Sequence, residues 1–401
     1  MTEGAPNRKP DSSAAAAVPD QRPHILLVSA LFPPDQGGVE AAAGEFAAAF
    51  PRMGYRVTVA TTTAGPRAPG PADVSVFPRD GFPGRVAAFA REIRPDLVFV
   101  NGLFLNGGMG FPFDAGAAPG MPVVYRSHGF NTAFRIHWRH PPFFGMPSLV
   151  RSFVRAVRND HVLRRLSQVV FLDDRIGLFR NFDVLLSRWL HPRNVSVIPN
   201  SFESIRLPRP GRFRESFGVP AGRPMFLNVA NYSALKGQCD VIRILRRHPE
   251  IDASFVFVGS VRNGVCEAAE RLADGDPRIR VLSALPREAV VDAINACDAA
   301  FLFSTHEQQP LFLSEAMSCG KPWFCTDVGS VPAMRGGIVL RHRNGAFFVQ
   351  AVRELLDSRR REELGAEGRS FWEANDSPDA VYPRWNRLLD DAILGRARHG
   401  Y

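Results

Sequence analysis

Lysine is nearly missing from this chain. Of its 49 lysines and arginines, only Lys9, Lys236 and Lys321 are lysine. Arginine is the default cation, so the two internal lysines stand out as compact point charges. Long apolar runs are missing too: none reaches the ~18 residues that span a bilayer. The small apolar run at residues 14–18 is too short for the core of a secretory signal, and the chain is expected to stay in the cytoplasm. Paired cysteines are absent. Cys239, Cys266, Cys297, Cys319 and Cys325 include no C-x-x-C spacing, which argues against a zinc site or a disulfide framework and suits buried free thiols. The Gly-x-Gly-x-x-Gly fingerprint of NAD binding is absent. Asp173-Asp174 is not an Asp-x-Asp metal site and reads as a helix start. No nucleic-acid module accompanies the net charge of +9, so the basic balance points to an anionic lipid surface or a phosphorylated substrate.

The 401 residues, 45% of them hydrophobic, suffice for two α/β domains. Residues 1–22 are polar and rich in Ala and Pro, the composition of a disordered tail. An apolar strand at 24–30, a turn through Gly37-Gly38, a helix at 41–53 and a strand at 56–61 make a βαβ opening. Further strands are expected at 97–100, 123–127 and 169–172. Residues 204–223, rich in Pro, Gly and Arg, read as a linker. A second βα series follows, with strands at 225–230, 254–258, 279–282 and 299–303, and residues 353–394 read as helical. The expected domains are 23–203 and 224–375, with a terminal helix in 376–401.

The densest segment is residues 306–322, His-Glu-Gln-Gln-Pro-Leu-Phe-Leu-Ser-Glu-Ala-Met-Ser-Cys-Gly-Lys-Pro. Glu307 follows a buried strand and precedes a helix that Pro310 starts and Gly320 ends. Glu315 lies about one turn into that helix. The carboxyl ends of strands are where open α/β sheets bind ligands, and a helix N-terminus suits a phosphate. Two carboxylates beside a phosphate site can hold sugar hydroxyls.

The spacing Glu-x7-Glu followed by Ala-Met-x-x-Gly-x-Pro, with Thr326-Asp327-Val328-Gly329-Ser330-Val331-Pro332 beyond it, resembles the signature of retaining GT-B glycosyltransferases of the family 4 type. Residues 195–203 are similar to the family's Val-Ile-Pro-Asn-Gly-Val-Asp segment, with Ser201 for Gly and Glu203 for Asp. The resemblance covers about residues 24–390 and implies an α/β GT-B fold: two Rossmann-like domains facing a central cleft, with the last helix crossing back to the first domain. It implies transfer of a hexose from a nucleoside diphosphate sugar, UDP- or GDP-linked, to a glycan or lipid-linked acceptor, with retention, in cell-envelope polysaccharide or glycolipid synthesis.

Roles carry over residue by residue. Gly37 and Gly38 would let the backbone approach the donor diphosphate. His128 would stand near the donor sugar. Lys236, followed by Gly237, would neutralise the leaving diphosphate, helped by backbone N–H groups around Gln309, Pro310 and Leu311. Glu307 would hold sugar hydroxyls near the reacting carbon, and Glu315 the ribose hydroxyls. Residues 282–285, ending at Leu285, would line the base, and Gly259 belongs to the same donor wall. The family places an arginine five residues before the lysine, where this chain has Asn231; Arg262 is a candidate replacement. Lys236 and helix dipoles can do what a divalent ion does elsewhere, so no metal or other cofactor is expected.

Residues 130–165 carry seven arginines, one acid (Asp160) and interleaved aromatics, with a helix expected over 148–166. This is how a protein rests on an anionic membrane, the inner face of the plasma membrane in this case. It also fits an amphipathic helix with a solvated basic face, or a grip on a phosphorylated acceptor. Residues 104–120 are the other acceptor-side loop. Two rival activities stay open: a nucleotide-sugar hydrolase or epimerase, and a weakly active nucleotide-sugar-binding protein, the latter motivated by Asn231.

Overall fold

Strands buried on both faces of a parallel sheet read as unbroken apolar runs, and the chain builds two such sheets. The computed structural model describes residues 22–395 except 36, 68, 103–119, 129–161, 174–183, 185, 186, 190, 191, 209, 210, 306 and 342. The expected helix over 148–166 and the loop 104–120 therefore lie almost wholly outside the described residues, as do the N-terminal tail and Asp174.

The first sheet contains β1 (His24–Val28), β2 (Arg56–Thr61), β3 (Asp73–Val76), β4 (Leu97–Asn101), β5 (Val123–Arg126), β6 (Gln168–Phe171) and β7 (Val195–Val197), in the spatial order β3-β2-β1-β4-β5-β6-β7. All of its pairings are parallel, with Ile25 opposite both Val57 and Leu97. Helix α1 (Gly38–Arg52) connects β1 to β2, and α2 (Phe82–Ile93) connects β3 to β4. The second sheet contains β8 (Met225–Val229), β9 (Ser254–Gly259), β10 (Ile279–Ser283), β11 (Ala299–Leu302), β12 (Trp323–Thr326) and β13 (Gly337–Leu340), ordered β10-β9-β8-β11-β12-β13. In each sheet the order reverses between two central strands, β1/β4 and β8/β11, which opens a crevice at their carboxyl ends.

Short α3 (Phe213–Ser216) precedes the second sheet; α4 (Gln238–Arg246), α5 (Gly264–Ala273), α6 (Arg287–Ala296) and α7 (Leu311–Ser318) cross between its strands. Helices α8 (Gly345–Glu354) and α9 (Ser358–Asn375) follow, and α10 (Pro378–Ile393) returns to the first domain. There Val381, Trp385, Leu388 and Leu389 join the core formed by Ile25, Phe46, Phe50 and Phe99. The Trp385 ring meets Phe46 edge-on at 5.2 Å, and Tyr55 donates to Asp390 at 2.7 Å.

Residues 204–223, read as a linker, are partly integral to the second domain. Phe213 is 1% exposed and packs with Met225, Leu227 and Ile294, because Phe213, Phe217 and Val219 give a short helix one apolar side. Strands β3, β12 and β13 were not legible in the sequence. β3 is mostly exposed, so it has no apolar run to read; β12 and β13 directly follow the donor-side segment and were absorbed into its loop. Among the described residues no helix is long and apolar enough to cross a membrane.

Candidate functional site

The crevice between the sheets holds a cavity of about 660 Å³. Gly37, Gly38, Asn231, Lys236, Gly259, Leu285, Glu307, Gln309, Pro310, Leu311 and Glu315 all line it. These residues come from both domains, Gly37 and Gly38 from the first and the rest from the second, and the fold gathers them because each stands near the carboxyl end of a strand or in the first turns of the next helix.

Lys236 sits in the turn after β8. Gly237 follows with φ +72, and a Cβ there would stand 2.4 Å from Arg343 and 2.6 Å from the Phe303 carbonyl. Only glycine fits, and its left-handed turn presses the lysine loop against the end of β11. Lys236 Nζ then reaches Glu307 Oε1 at 2.5 Å, and Ser304 Oγ donates to the same oxygen at 2.7 Å. The Glu307 side chain is only 10% exposed. Gly329 holds the other side of this loop: its φ is +50, and a Cβ would lie 2.2 Å from the Gln308 carbonyl oxygen.

Helix α7 begins with no side-chain cap. The Leu313 and Ser314 amides bond back to the Pro310 carbonyl, which leaves the first helical amides directed at the crevice. Pro310 itself has no N–H. The amide cradle expected around Gln309–Leu311 is therefore centred one residue later, on Leu311 and Phe312, both of which line the cavity.

Glu315 accepts from the Arg287 guanidinium at the first turn of α6. Arg287 was not legible as a site residue, although it directly follows Pro286 and opens the helix after β10. Arg262, the candidate replacement for the missing arginine, does not turn to the cavity. It pairs with Glu267 and Glu270 at 2.8 Å each on α5, since those carboxylates lie within two turns of it on one helix. Asn231 brings no charge: its Oδ1 accepts from Ser260 Oγ. Among the described residues, Lys236 and Arg287 are thus the cations lining the cavity, against Asp35, Glu45, Glu307 and Glu315.

The glycines differ in their reasons. A Cβ on Gly259 would strike the Tyr232 ring at 2.4 Å, and the Tyr232 hydroxyl donates to the Phe257 and Leu282 carbonyls at 3.1 and 2.9 Å. Gly259 thus serves packing under the loop that ends at Leu285. A Cβ on Gly38 would only touch Leu311 at 3.6 Å, and one on Gly37 would meet the movable Glu40 carboxylate. In this structure neither is forced by protein packing, so their smallness leaves room at the lip of the cavity.

His128 is the one expected site residue outside the cavity lining. Its Nε2 lies 2.8 Å from Asn101 Oδ1 and 2.9 Å from Arg126 Nη1. Burial, with the Arg126 charge beside it, holds the imidazole well below its usual range. Of residues 130–165, 130–161 lie outside the described residues. Among the described residues no group of three His, Cys, Asp or Glu side chains is placed to hold a metal.

Known proteins share this arrangement. Residues 223–358 match the family model described as glycosyl transferases group 1, and residues 37–179 match the glycosyl transferase 4-like domain. The chain is 29% identical over 249 residues to 2-deoxystreptamine N-acetyl-D-glucosaminyltransferase of Streptomyces fradiae, a match covering 59% of this chain and 56% of that protein. It spans about half the length of the curated relatives it matches. Sucrose-phosphate synthase of Thermosynechococcus elongatus superposes with a TM-score of 0.72 at 17% identity, covering 93% of this chain and 100% of that one. HepE of Anabaena, solved in complex with UDP-glucose, superposes with a TM-score of 0.67 at 18% identity over 92% of this chain and 99% of that one. At these identities the structural likeness concerns the fold.

Proposed function

The chain belongs to the GT-B glycosyltransferases of the family 4 type, and we propose that it moves a hexose from a UDP- or GDP-linked sugar onto a glycan or lipid-linked acceptor. One observation carries the reading. Lys236, Glu307, Glu315 and the uncapped start of α7 line a single cavity between two doubly wound sheets. Breaking the anomeric C–O bond puts negative charge on the departing diphosphate and positive character on the sugar. Lys236 and the Leu311 and Phe312 amides meet the first; Glu307 and its hydroxyl-holding oxygens meet the second.

Both carboxylates already carry a cationic partner, Lys236 for Glu307 and Arg287 for Glu315. That suits holding hydroxyls and not the nucleophile-and-acid pair of a glycosidase, so retention would follow from attack on the face the leaving phosphate vacates. The hydrolase reading gains no support from the site. We also carry forward metal independence, because positive charge is supplied by Lys236 and the helix amides. Placement at the inner face of the plasma membrane rests on the basic composition of residues 130–165; failure to float with anionic liposomes would remove it.

UDP-glucose stands bound in the Anabaena relative, and N-acetylglucosaminyl transfer names the Streptomyces one, so UDP-glucose and UDP-N-acetylglucosamine are the first donors to try. Thermal melting in EDTA with UDP-, GDP- and ADP-sugars should raise Tm for one base class only. At a hundredfold excess over Kd the stabilisation is about 2.7 kcal/mol. A flat profile for every nucleotide sugar would overturn the reading.

Arg287 extends it to the nucleoside end. Its bond aims the mostly buried carboxylate of Glu315, so Arg287→Ala is expected to weaken nucleoside diphosphate binding by about tenfold, ~1.4 kcal/mol. Arg287→Lys should retain part of it. Equal affinities by titration calorimetry would show the pair to be surface decoration.

A further inference from the structure

Arg126, the last residue of β5, is fully buried, yet it pairs with no acid among the described residues. A buried charge without a counter-ion is costly, so its contacts call for a reason. Nη1 donates to Asn101 Oδ1 at 3.2 Å and lies 2.9 Å from His128 Nε2. Nη2 donates to Asn200 Oδ1. Nε has no hydrogen-bond partner among the described residues, and the guanidinium rests 4.8 Å from the Phe46 ring centre, a cation–π contact.

The chain of contacts continues across the crevice. Asn200 lies where the chain leaves the first domain, and its backbone N–H donates to Gln309 Oε1 at 2.6 Å. Gln309 sits in the donor loop between Glu307 and Glu315 and is 8% exposed. Its Nε2 donates to Asp376 Oδ1 at 3.3 Å, at the junction where α9 gives way to α10. Both crossings between the domains thus meet at one glutamine, and from it a buried polar path leads to the ring of His128. On that ring Nε2 is committed inward.

We propose that Gln309, Asn200 and Arg126 form a positioning relay that ties the seating of the donor loop to the orientation of the His128 ring on the opposite wall. Its catalytic consequence rests on the glycosyltransferase reading; the relay itself does not. A donor diphosphate at the Leu311 and Phe312 amides would brace Gln309 two residues away, and the brace would reach His128 before an acceptor arrives. Burial pushes the Arg126 guanidinium down to about 9, and with that charge beside it the imidazole stays neutral. No carboxylate among the described residues faces either group to oppose this.

The test is ring NMR on the full chain labelled at histidine, with the His128 signal identified by its loss in His128→Gln. In the unaltered protein this ring should not titrate between about pH 5.5 and 8. In Arg126→Met its titration should move upward but stay short of the ordinary value, because burial, the larger cause of the lowering, remains. In Gln309→Leu the His128 signal should shift although residue 309 does not touch the ring, and Gln309→Glu, which keeps an acceptor for the Asn200 N–H, should restore it. A His128 signal unmoved by Gln309→Leu would overturn the relay, as would a His128 titration left unshifted by Arg126→Met. If Arg126→Met does not fold, the Gln309 pair still decides. Nucleotide-sugar melting shifts report separately on the glycosyltransferase reading, so either proposal can fall without the other.

Discussion

Lys236→Ala is expected to lower kcat for sugar transfer by about 10²–10³-fold, the effect of removing one preorganised donor from developing negative charge, ~3–4 kcal/mol. The cavity has little to replace it. The residue at the family's arginine position is Asn231, whose Oδ1 is taken by Ser260. Arg262 is paired on α5, and Arg287 is held by Glu315 at another corner. The loss should fall more on kcat than on donor KM, because charge on the diphosphate grows as the bond breaks. Lys236→Arg should recover only part, since a planar fork does not reproduce a compact ammonium in the turn that Gly237 shapes. Steady-state kinetics with the donor found by melting would check it, and an unchanged kcat in Lys236→Ala would sink the leaving-group assignment. Glu307 is affected too: without the ammonium, its nearly buried carboxylate keeps only the Ser304 hydroxyl.

Asp376→Asn is expected to stabilise the protein at alkaline pH by about 4 kcal/mol and to change little at pH 4. Burial pushes the Asp376 carboxyl up from 3.8 to about 7, while the Ser314 and Gln309 hydrogen bonds pull the other way. The folded chain therefore keeps a proton that the unfolded chain releases. Below about pH 4 both states are protonated and nothing is lost. Between about 4 and 7 each unit costs the folded state up to ~1.4 kcal/mol, and above about 7 the full cost is present. An asparagine can accept from Gln309 with its oxygen and donate its amide to the Ser314 hydroxyl, which donates to the carboxyl here and can turn to accept. Urea unfolding at pH 4.5 and 8 measures the difference between the two proteins, in which other titrating groups cancel. A gap that fails to widen with pH would refute the assignment. The same proton bears on the donor loop, because Asp376 anchors Gln309.

Much of the site was legible because its signals are local. A lysine in an arginine-dominated chain, followed by a glycine with φ +72, announces itself within two positions. Glu307 and Glu315 are tied by helix geometry over one short segment. Continuous apolar runs such as residues 25–28 and 97–100 read as buried parallel strands, since alternation would appear if one face met water. Where the pattern is weak the reading failed: β3 has no apolar stripe, and Arg262 looked available because its two acidic partners are ordinary helix residues.

By itself, then, the sequence determined the two-sheet α/β architecture, the donor-side motif and the identity of most residues around it, because backbone periodicity and motif spacing act over a few positions. Only the tertiary structure decided that Arg287 meets Glu315 across 28 positions and that Asn200 meets Gln309 across 109. It alone drew Arg126 into the interior beside His128. The physical reason is that a charged or amide side chain carries no mark of its partner: which one it finds is set by the crossing of strands and by the cost of leaving a buried polar group unpaired.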